Sequence, residues 1–401
     1  MPSHTPAWEV ADIFRMHGEA YRKAYNVPWE HIKVMDDIMA CRTPRLGGFI
    51  EHCDTCGFTR EVYHSCGNRH CPKCQTLTKV RWVQARLAEL LPVKYFHTVF
   101  TLPHELNPLI LSNKAVMLDM LFAAVSQTLL AFGRNNLGGR LGFLAILHTW
   151  SQILLDHYHI HCVVPGGVLA EDGKTWITKR GTKPYLFPVK ALSKVFRGKF
   201  TALLEHARRT DRLIYPGQAE IFAAPEGFAR LVRTLRSQKW VVYSKAPFAG
   251  AEQVLDYLGR YTHRVAVSNN RILHVDDQYV TFSYRDRRNN VRKEMTLQAK
   301  EFIRRFLLHV LPQGFMRIRS FGFLANRIKK QSLAGIREIL GQNPPEQPGA
   351  KTTRELLLEL AGVDIVRCPE CGKGHMKTVS EIPARISRTG WITSHAGVDS
   401  S

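Results

Sequence analysis

The chain has 401 residues, 45% of them hydrophobic, which is enough for two or three packed modules and excludes a wholly disordered protein. Its 56 Lys and Arg against 34 Asp and Glu give a net charge of +22. That excess points to polyanionic partners, with nucleic acid the commonest and an anionic membrane surface giving the same sign, and it says little about fold.

The first residues, MPSHTPAWEVADIF, have no basic stretch leading into an apolar run. No secretory signal is predicted, and a cytoplasmic protein is expected. Residues 1–48 read as a polar-amphipathic helical segment, stopped near Pro44 and Gly47-Gly48. A Cys-rich stretch covers residues 49–76, and VRWVQARLAELL, with apolar positions three and four apart, predicts a helix ending before Pro92. KYFHTVFTL alternates and is rich in β-branched and aromatic residues, which reads as a strand. Helices are expected over 105–133. The most apolar run, Leu109 to Phe132, is interrupted by Lys114, Asp119 and Gln127, so a buried or amphipathic helix fits better than a membrane span.

FLAILHTW and YHIHCVVPGG are strand candidates separated only by SQILLDH, which suggests adjacent antiparallel neighbours. KWVVYSKAP is a further strand candidate, AEQVLDYLGRY a short helix, and RVAVS, RILHVD and YVTFSY short alternating segments. Residues 281–330 hold 13 Lys and Arg against 3 acidic residues, mixed with Phe and Tyr. GQNPPEQPGAKTT, residues 341–353, is a linker by composition. The expected organisation is a helical segment (1–48), a metal module with its following helix (49–92), a main domain (93–275) with an inserted subdomain near 170–235, a basic region (276–340), the linker, and a C-terminal helix with a CxxC tail (354–401).

Nine cysteines suit a disulfide scaffold poorly. Five fall between Cys53 and Cys74, and two more form a pair at Cys368 and Cys371, a clustering that reads as metal binding. Cys53-x2-Cys56 and Cys71-x2-Cys74 are predicted to close one tetrahedral S4 site for structural Zn²⁺, with no open position for catalysis. Cys66, His52, His64 and His70 lie close enough in sequence to be alternative or additional ligands. Such a zinc can simply fold a small module; Arg60, Arg69, Lys73, Lys79 and Arg81 keep a direct nucleic-acid contact open. A redox role for one CxxC leaves the other pair unexplained. Cys368-x2-Cys371 looks like half of a second zinc ribbon, with His375 a candidate third ligand and no fourth nearby; two incidental thiols in a turn are the plain alternative. Cys162 reads as a core cysteine.

In a strand, His159 and His161 point to one face, with Ile160, Cys162 and Val164 on the other. Paired imidazoles are awkward in a core and well suited to a divalent ion: Mg²⁺, Mn²⁺ or Zn²⁺. His148 completes a three-histidine face if its strand pairs antiparallel, and His157 competes for that place. A His-x-His alone is weak, since two structural histidines look the same. Tyr257 and Tyr261 lie four apart, on one side of a helix, with Lys245, Arg260, His263 and Arg264 around them. A tyrosine can attack a phosphodiester when a metal polarises the phosphate, although aromatic residues at helical spacing are usually core.

The Cys-x2-Cys followed by SCGNRHCPKCQ, then HIHCVVPGG, YLGRYTHRVAVSN and RSFGFLANR, in that order, resemble the rolling-circle transposases of the IS-ninety-one type, within the HUH (His, hydrophobic residue, His) endonucleases. The resemblance spans roughly residues 30–330. It implies an α+β fold: an HUH nuclease domain with a central antiparallel sheet and packed helices, a small N-terminal Cys-rich zinc module, and a helical, basic C-terminal DNA-binding region. It implies that His159 and His161 are metal ligands with His148 the third, holding Mg²⁺ or Mn²⁺, and that Tyr257 and Tyr261 are the nucleophiles, with Tyr257 favoured if only one attacks.

The implied activity is a nick in single-stranded DNA at a transposon end, giving a 5′-phosphotyrosine and a free 3′-OH that host replication machinery extends. Target DNA would be a second partner, and no membrane is expected. Lys245, Arg260, Arg264, Arg285, Arg287, Arg288, Arg292 and Lys293 are expected DNA contacts, whereas most of Phe282, Phe315, Phe321 and Phe323 are expected in the core rather than stacked on bases with Tyr284. Two rival readings use the same residues: a plasmid replication initiator or conjugative relaxase with the same HUH chemistry, and a non-catalytic zinc-containing DNA-binding protein. The second gives no reason for three strand histidines beside two helical tyrosines.

Overall fold

The structure is a computed structural model and describes residues 6–178, 185–245, 253–254, 259, 265–286, 288–342, 351–362 and 364–385. The chain opens with α1 (Val10–Ala24), α2 (Trp29–Ala40), β1 (Gly48–Cys53), β2 (Thr59–Tyr63) and α3 (Gln75–Leu87). There follow β3 (Tyr95–Thr101), α4 (Asn107–Ser112), α5 (Lys114–Phe132), β4 (Gly139–Arg140), β5 (Gly142–Trp150), β6 (Asp156–Pro165), β7 (Gly167–Ala170) and β8 (Trp176–Thr178). Next come α6 (Val189–Arg209), α7 (Pro225–Ser237), β9 (Val242–Lys245), β10 (Ile272–Val275), β11 (Tyr279–Arg285) and β12 (Arg292–Gln298). The last are α8 (Ala299–Leu307), β13 (Ile318–Gly322), α9 (Lys329–Ile339), α10 (Thr353–Ala361) and β14 (Met376–Ile382).

These elements form two compact units, each built from separated stretches. The first joins Met1–Gln84, His263–Val310 and Glu346–Ser401; the second joins Ala85–Thr262 and Leu311–Pro345. Within the segment 276–340, β11, β12 and α8 belong to the first unit, and β13 and α9 to the second.

The second unit is an antiparallel five-stranded sheet in the order β13-β5-β6-β3-β9, with helices covering one face. Strand alternation decides which face. Phe143, Ala145 and Leu147 of β5, Tyr158, Ile160, Cys162 and Val164 of β6, and Phe96 and Phe100 of β3 join one core with α5, α6 and α7. From the stretch near 170–235, Phe196, Phe200, Leu231 and Leu235 sit in that same core, with Phe100 and Phe196 5.1 Å apart edge to face. Each such side chain, taken from water, stabilises the unit by about 1.5–3 kcal/mol.

The apolar run around α5 has the length and composition of a membrane span, but Met117, Leu118, Leu121, Phe122, Ala124, Val125, Thr128 and Leu129 are buried within the unit. A helix apolar on all sides belongs inside a core, and this one does. KWVVYSK supplies the edge strand β9, as its alternation predicts, and β13 is an addition that the basic character of its segment hid. Arg319 of β13 lies over the Phe122 ring, 4.2 Å from its centroid, and pairs with Asp119 at 2.6 Å.

The first unit carries two three-stranded sheets, β14-β1-β2 and β10-β11-β12. α1 is amphipathic: Val10, Ile13, Phe14, His17 and Tyr21 are buried, with Phe14 against Phe306 of α8 at 5.4 Å. RVAVS is not a strand over its described residues 265–268, while RILHVD and YVTFSY supply β10 and β11. Phe282, Phe315 and Phe323 are buried, as expected for core residues.

Candidate metal centre

On the sheet face opposite the helices, β5 and β6 pair with His148 directly across from His159, so His161 follows two residues along on the same side. The short SQILLDH connection leaves little slack, and the apolar alternation of both strands fixes the register. One ring nitrogen from each of His148, His159 and His161 lies within 4.8 Å of the other two. The ring centroids are 4.5 Å apart for His148 and His161, 5.3 Å for His148 and His159, and 4.9 Å for His159 and His161. All three are buried. His157 falls outside the group, yet its backbone carbonyl accepts a 2.7 Å hydrogen bond from His159 Nδ1. That bond fixes the proton on Nδ1 of a neutral ring and leaves Nε2 as the donor for a metal.

His97 of β3 supplies a residue that sequence reasoning missed. Its Nε2 lies 2.9 Å from His161 Nδ1, and the two rings are within 7° of parallel. Burial, helped by the charge of Lys245, pushes the His97 pKa down to about 3, so this ring is neutral at ordinary pH. Lys245 of β9 pairs directly with His97 in the sheet, which puts this expected DNA contact beside the histidine face. Alternation placed His97 opposite Phe96 in sequence, but nothing local said that β3 runs next to β6. The donor set of three imidazoles on rigid strands suits a divalent ion held on protein nitrogen.

The cysteines group differently from the expected Cys53, Cys56, Cys71 and Cys74. Cys71 and Cys74 meet Cys41 and Cys66, while Cys53 and Cys56 meet Cys368 and Cys371. Position is the reason: Cys41 ends α2, and Cys74 Sγ lies 3.4 Å from Cys41 Sγ and 3.5 Å from Cys66 Sγ. Hydrogen bonds among these thiols draw Cys41 and Cys74 down in pKa and push Cys66 and Cys71 up. Four thiols this close ionise together only around a cation. Cys66 is thus a member of the set, and His52, His64, His70 and His375 are in neither set. Eight cysteines in two sets of four, plus the buried Cys162, account for all nine, a parity the sequence already contained. Cys41 carries no CxxC spacing, so only that count pointed to it.

Among the other expected contacts, Arg285, Arg288, Arg292 and Lys293 are exposed on the β11–β12 hairpin. Lys293 pairs with Asp286 at 2.7 Å, and Arg292 donates to Ser283 Oγ at 3.2 Å. Tyr257, Tyr261, Arg260, Arg264 and Arg287 lie outside the described residues.

Residues 142–332 match the family model described as "Putative transposase", and residues 13–102 match "Transposase zinc-binding domain". The chain is 47% identical over 379 residues to "Putative transposase y4qJ" of Sinorhizobium fredii, an alignment covering 92% of this chain and 94% of that protein. It is 27% identical over 344 residues to "Transposase for insertion sequence element IS801" of Pseudomonas savastanoi pv. phaseolicola, covering 85% and 82%. No solved structure matches the chain significantly.

Proposed function

The chain belongs to the transposases of the IS91 (IS-ninety-one) type, and on that premise we propose that it nicks single-stranded DNA at transposon ends by tyrosine attack. The observation that carries this reading is the buried group of His148, His159 and His161 on the sheet face opposite the helices. These three residues would hold Mg²⁺ or Mn²⁺, whose chemistry when bound would be to polarise the scissile phosphate and stabilise charge on its oxygens. His157 and His97 orient the rings of His159 and His161.

Tyr257 or Tyr261 attacks phosphorus. The Tyr Oη–P bond forms, the P–O3′ bond breaks, and the leaving oxygen takes up a proton to become the free 3′-OH. Bond energy is kept in the 5′-phosphotyrosine, so joining to target DNA needs no ATP. Lys245 beside His97, and Arg285, Arg288 and Arg292 on the exposed hairpin, hold backbone phosphates, with Arg260, Arg264, Arg287 and Lys293 as further contacts. Zn²⁺ in the set of Cys41, Cys66, Cys71 and Cys74 is structural, since four thiolates leave it no open position. The protein acts in the cytoplasm at the bacterial nucleoid, and host replication extends the 3′-OH.

End-labelled single-stranded oligonucleotides tiling the element's ends, incubated with Mg²⁺, Mn²⁺ or chelator and run on a denaturing gel, test the proposal. A metal-dependent adduct on the 5′ phosphate of the fragment 3′ of the cut, lost in Tyr257→Phe with Tyr261→Phe, supports it. Loss in one single variant leaves one nucleophile and gives the other tyrosine a packing role. Cleavage without an adduct in any variant makes water the nucleophile and overturns the mechanism.

A further inference from the structure

The second group of cysteines is assembled from stretches more than 300 residues apart. Cys53 Sγ lies 3.8 Å from Cys371 Sγ, and Cys56 Sγ lies 3.7 Å from Cys368 Sγ. A tetrahedral zinc with Zn–S bonds of about 2.3 Å requires S···S edges of roughly 3.8 Å, whereas a disulfide needs about 2.05 Å. The spacing fits a metal and not a bond between sulfurs.

The two loops are built alike. Each reads Cys-x2-Cys-Gly, and each glycine sits at positive φ, +77° at Gly57 and +64° at Gly372. Gly57 N–H donates to Cys53 O at 3.3 Å, and Gly372 N–H donates to Cys368 O at 3.1 Å. Backbone N–H groups also point at sulfur, Thr55 N to Cys53 Sγ at 3.5 Å and Gly374 N to Cys371 Sγ at 3.4 Å, the polarity that stabilises thiolates. Between the loops, Asp54 N–H donates to His375 O at 3.1 Å and His375 N–H donates back to Asp54 Oδ1 at 2.8 Å. Gly374 permits the approach: a Cβ there would lie 2.5 Å from Cys53 Sγ.

We propose that Cys53, Cys56, Cys368 and Cys371 hold a second Zn²⁺, which clasps the C-terminal ribbon to the N-terminal module. Binding releases the thiol protons and leaves four thiolates on the metal. The clasp continues β1, which ends at Cys53, into its pairing with β14, so the zinc and the strand register hold the same two stretches. The zinc-binding family model spans residues 13–102 and so contains only two of these four ligands. The module that model describes is completed here by residues 368–382, beyond its far end.

Replacing zinc by Co²⁺ in the full-length chain tests this, because thiolate-to-cobalt absorption counts tetrathiolate sites and does not see a histidine site. Two such equivalents per chain are expected in the wild type and one in Cys368→Ser with Cys371→Ser, with zinc content by mass spectrometry falling by one per chain. One equivalent in the wild type, or unchanged zinc in the double variant, overturns the clasp. If the double variant fails to fold, alkylation of the wild-type chain decides. Cys368 and Cys371 are expected to resist alkylation until chelator is added, and modification at equal rates with and without chelator overturns the proposal. None of these readouts depends on nicking, so failure of the clasp leaves the nuclease reading where it stands.

Discussion

His97 Nε2 stands 2.9 Å from His161 Nδ1 across the β3–β6 pair, joining two buried imidazoles 64 residues apart in sequence. One of the two nitrogens must carry the proton. If His161 donates from Nδ1, its Nε2 keeps the lone pair a cation needs, and His97, neutral by burial, is the acceptor that enforces this tautomer.

His97→Ala is therefore expected to weaken divalent-ion binding by roughly 10–100-fold, the usual effect of losing an orienting partner. Calorimetric titration with Mn²⁺ measures it. His97→Gln keeps an acceptor and should recover part of the affinity, and nicking by His97→Ala should return at high Mn²⁺. Wild-type affinity in both variants would reduce His97 to packing.

His148→Ala, His159→Ala and His161→Ala should each lower nicking by roughly hundredfold or more, the loss expected when charge stabilisation worth several kcal/mol is removed. Melting temperature without metal should hardly change, since the three rings face away from the helix-covered core. A wild-type nicking rate in His148→Ala would remove it from the ligand set and leave the pair on β6.

Local pattern made much of this site legible. The alternation in FLAILHTW and YHIHCVVPGG, with seven residues between them, was sufficient to bring His148 across from His159. The position of β3 beside β6 was not legible, because α4, α5 and β5 intervene, and with it went His97. The cysteines divide in the same way: each CxxC knuckle is a local turn, but which knuckles share a metal depends on long-range packing. Cys53 and Cys56 find partners 318 and 312 residues away, so proximity in sequence misassigned them to Cys71 and Cys74. In 276–340 a run of like charge gave no sign of strands that serve two different units.

Gly322 ends β13 at φ +64°, where a Cβ would lie 1.6 Å from the Leu141 carbonyl oxygen. Gly314 has a similar φ, +71°, and open space around it. Gly314→Ala should cost about 1–2 kcal/mol from the left-handed backbone alone. Gly322→Ala should cost at least that much again, because backbone must move. Thermal melting of the two variants isolates the clash; equal shifts would mean that β13 is free to slide off β5.

Glu301 accepts from Arg304 Nε at 2.6 Å and from Arg305 Nε at 2.7 Å, and hydrogen bonding to Arg304 leads in holding its pKa down to about 2 from 4.5. A carboxylate lowered in the fold binds fewer protons there than when unfolded, so stability rises with pH between these values. Its contribution is complete above about pH 4.5 and is lost as the pH falls towards 2. Partial exposure of the network limits it to about 1 kcal/mol. In Glu301→Gln, the difference in unfolding midpoint from wild type should be present at pH 6 and vanish near pH 2.

On the β11–β12 hairpin, Arg288→Ala should reduce affinity for single-stranded DNA alike for all sequences and lower the salt slope by about 0.7. Lys293→Ala should do less, since Asp286 already holds that ammonium at 2.7 Å. Fluorescence anisotropy at several salt concentrations separates the two; a loss confined to one DNA sequence would indicate base reading in place of phosphate contact.

The pairing of β1 with β14 also sets a timetable for synthesis. A ribosome releases β1 and Cys53 early, yet their partners at residues 368–382 emerge only after the whole second unit has been made. Throughout that interval the edge of β1 and two thiols wait unpaired, while the nuclease sheet can already close. The expected order of birth is nuclease first and clasped module last, so that a chain cut short before residue 368 would carry the histidine face but never finish the module it began with.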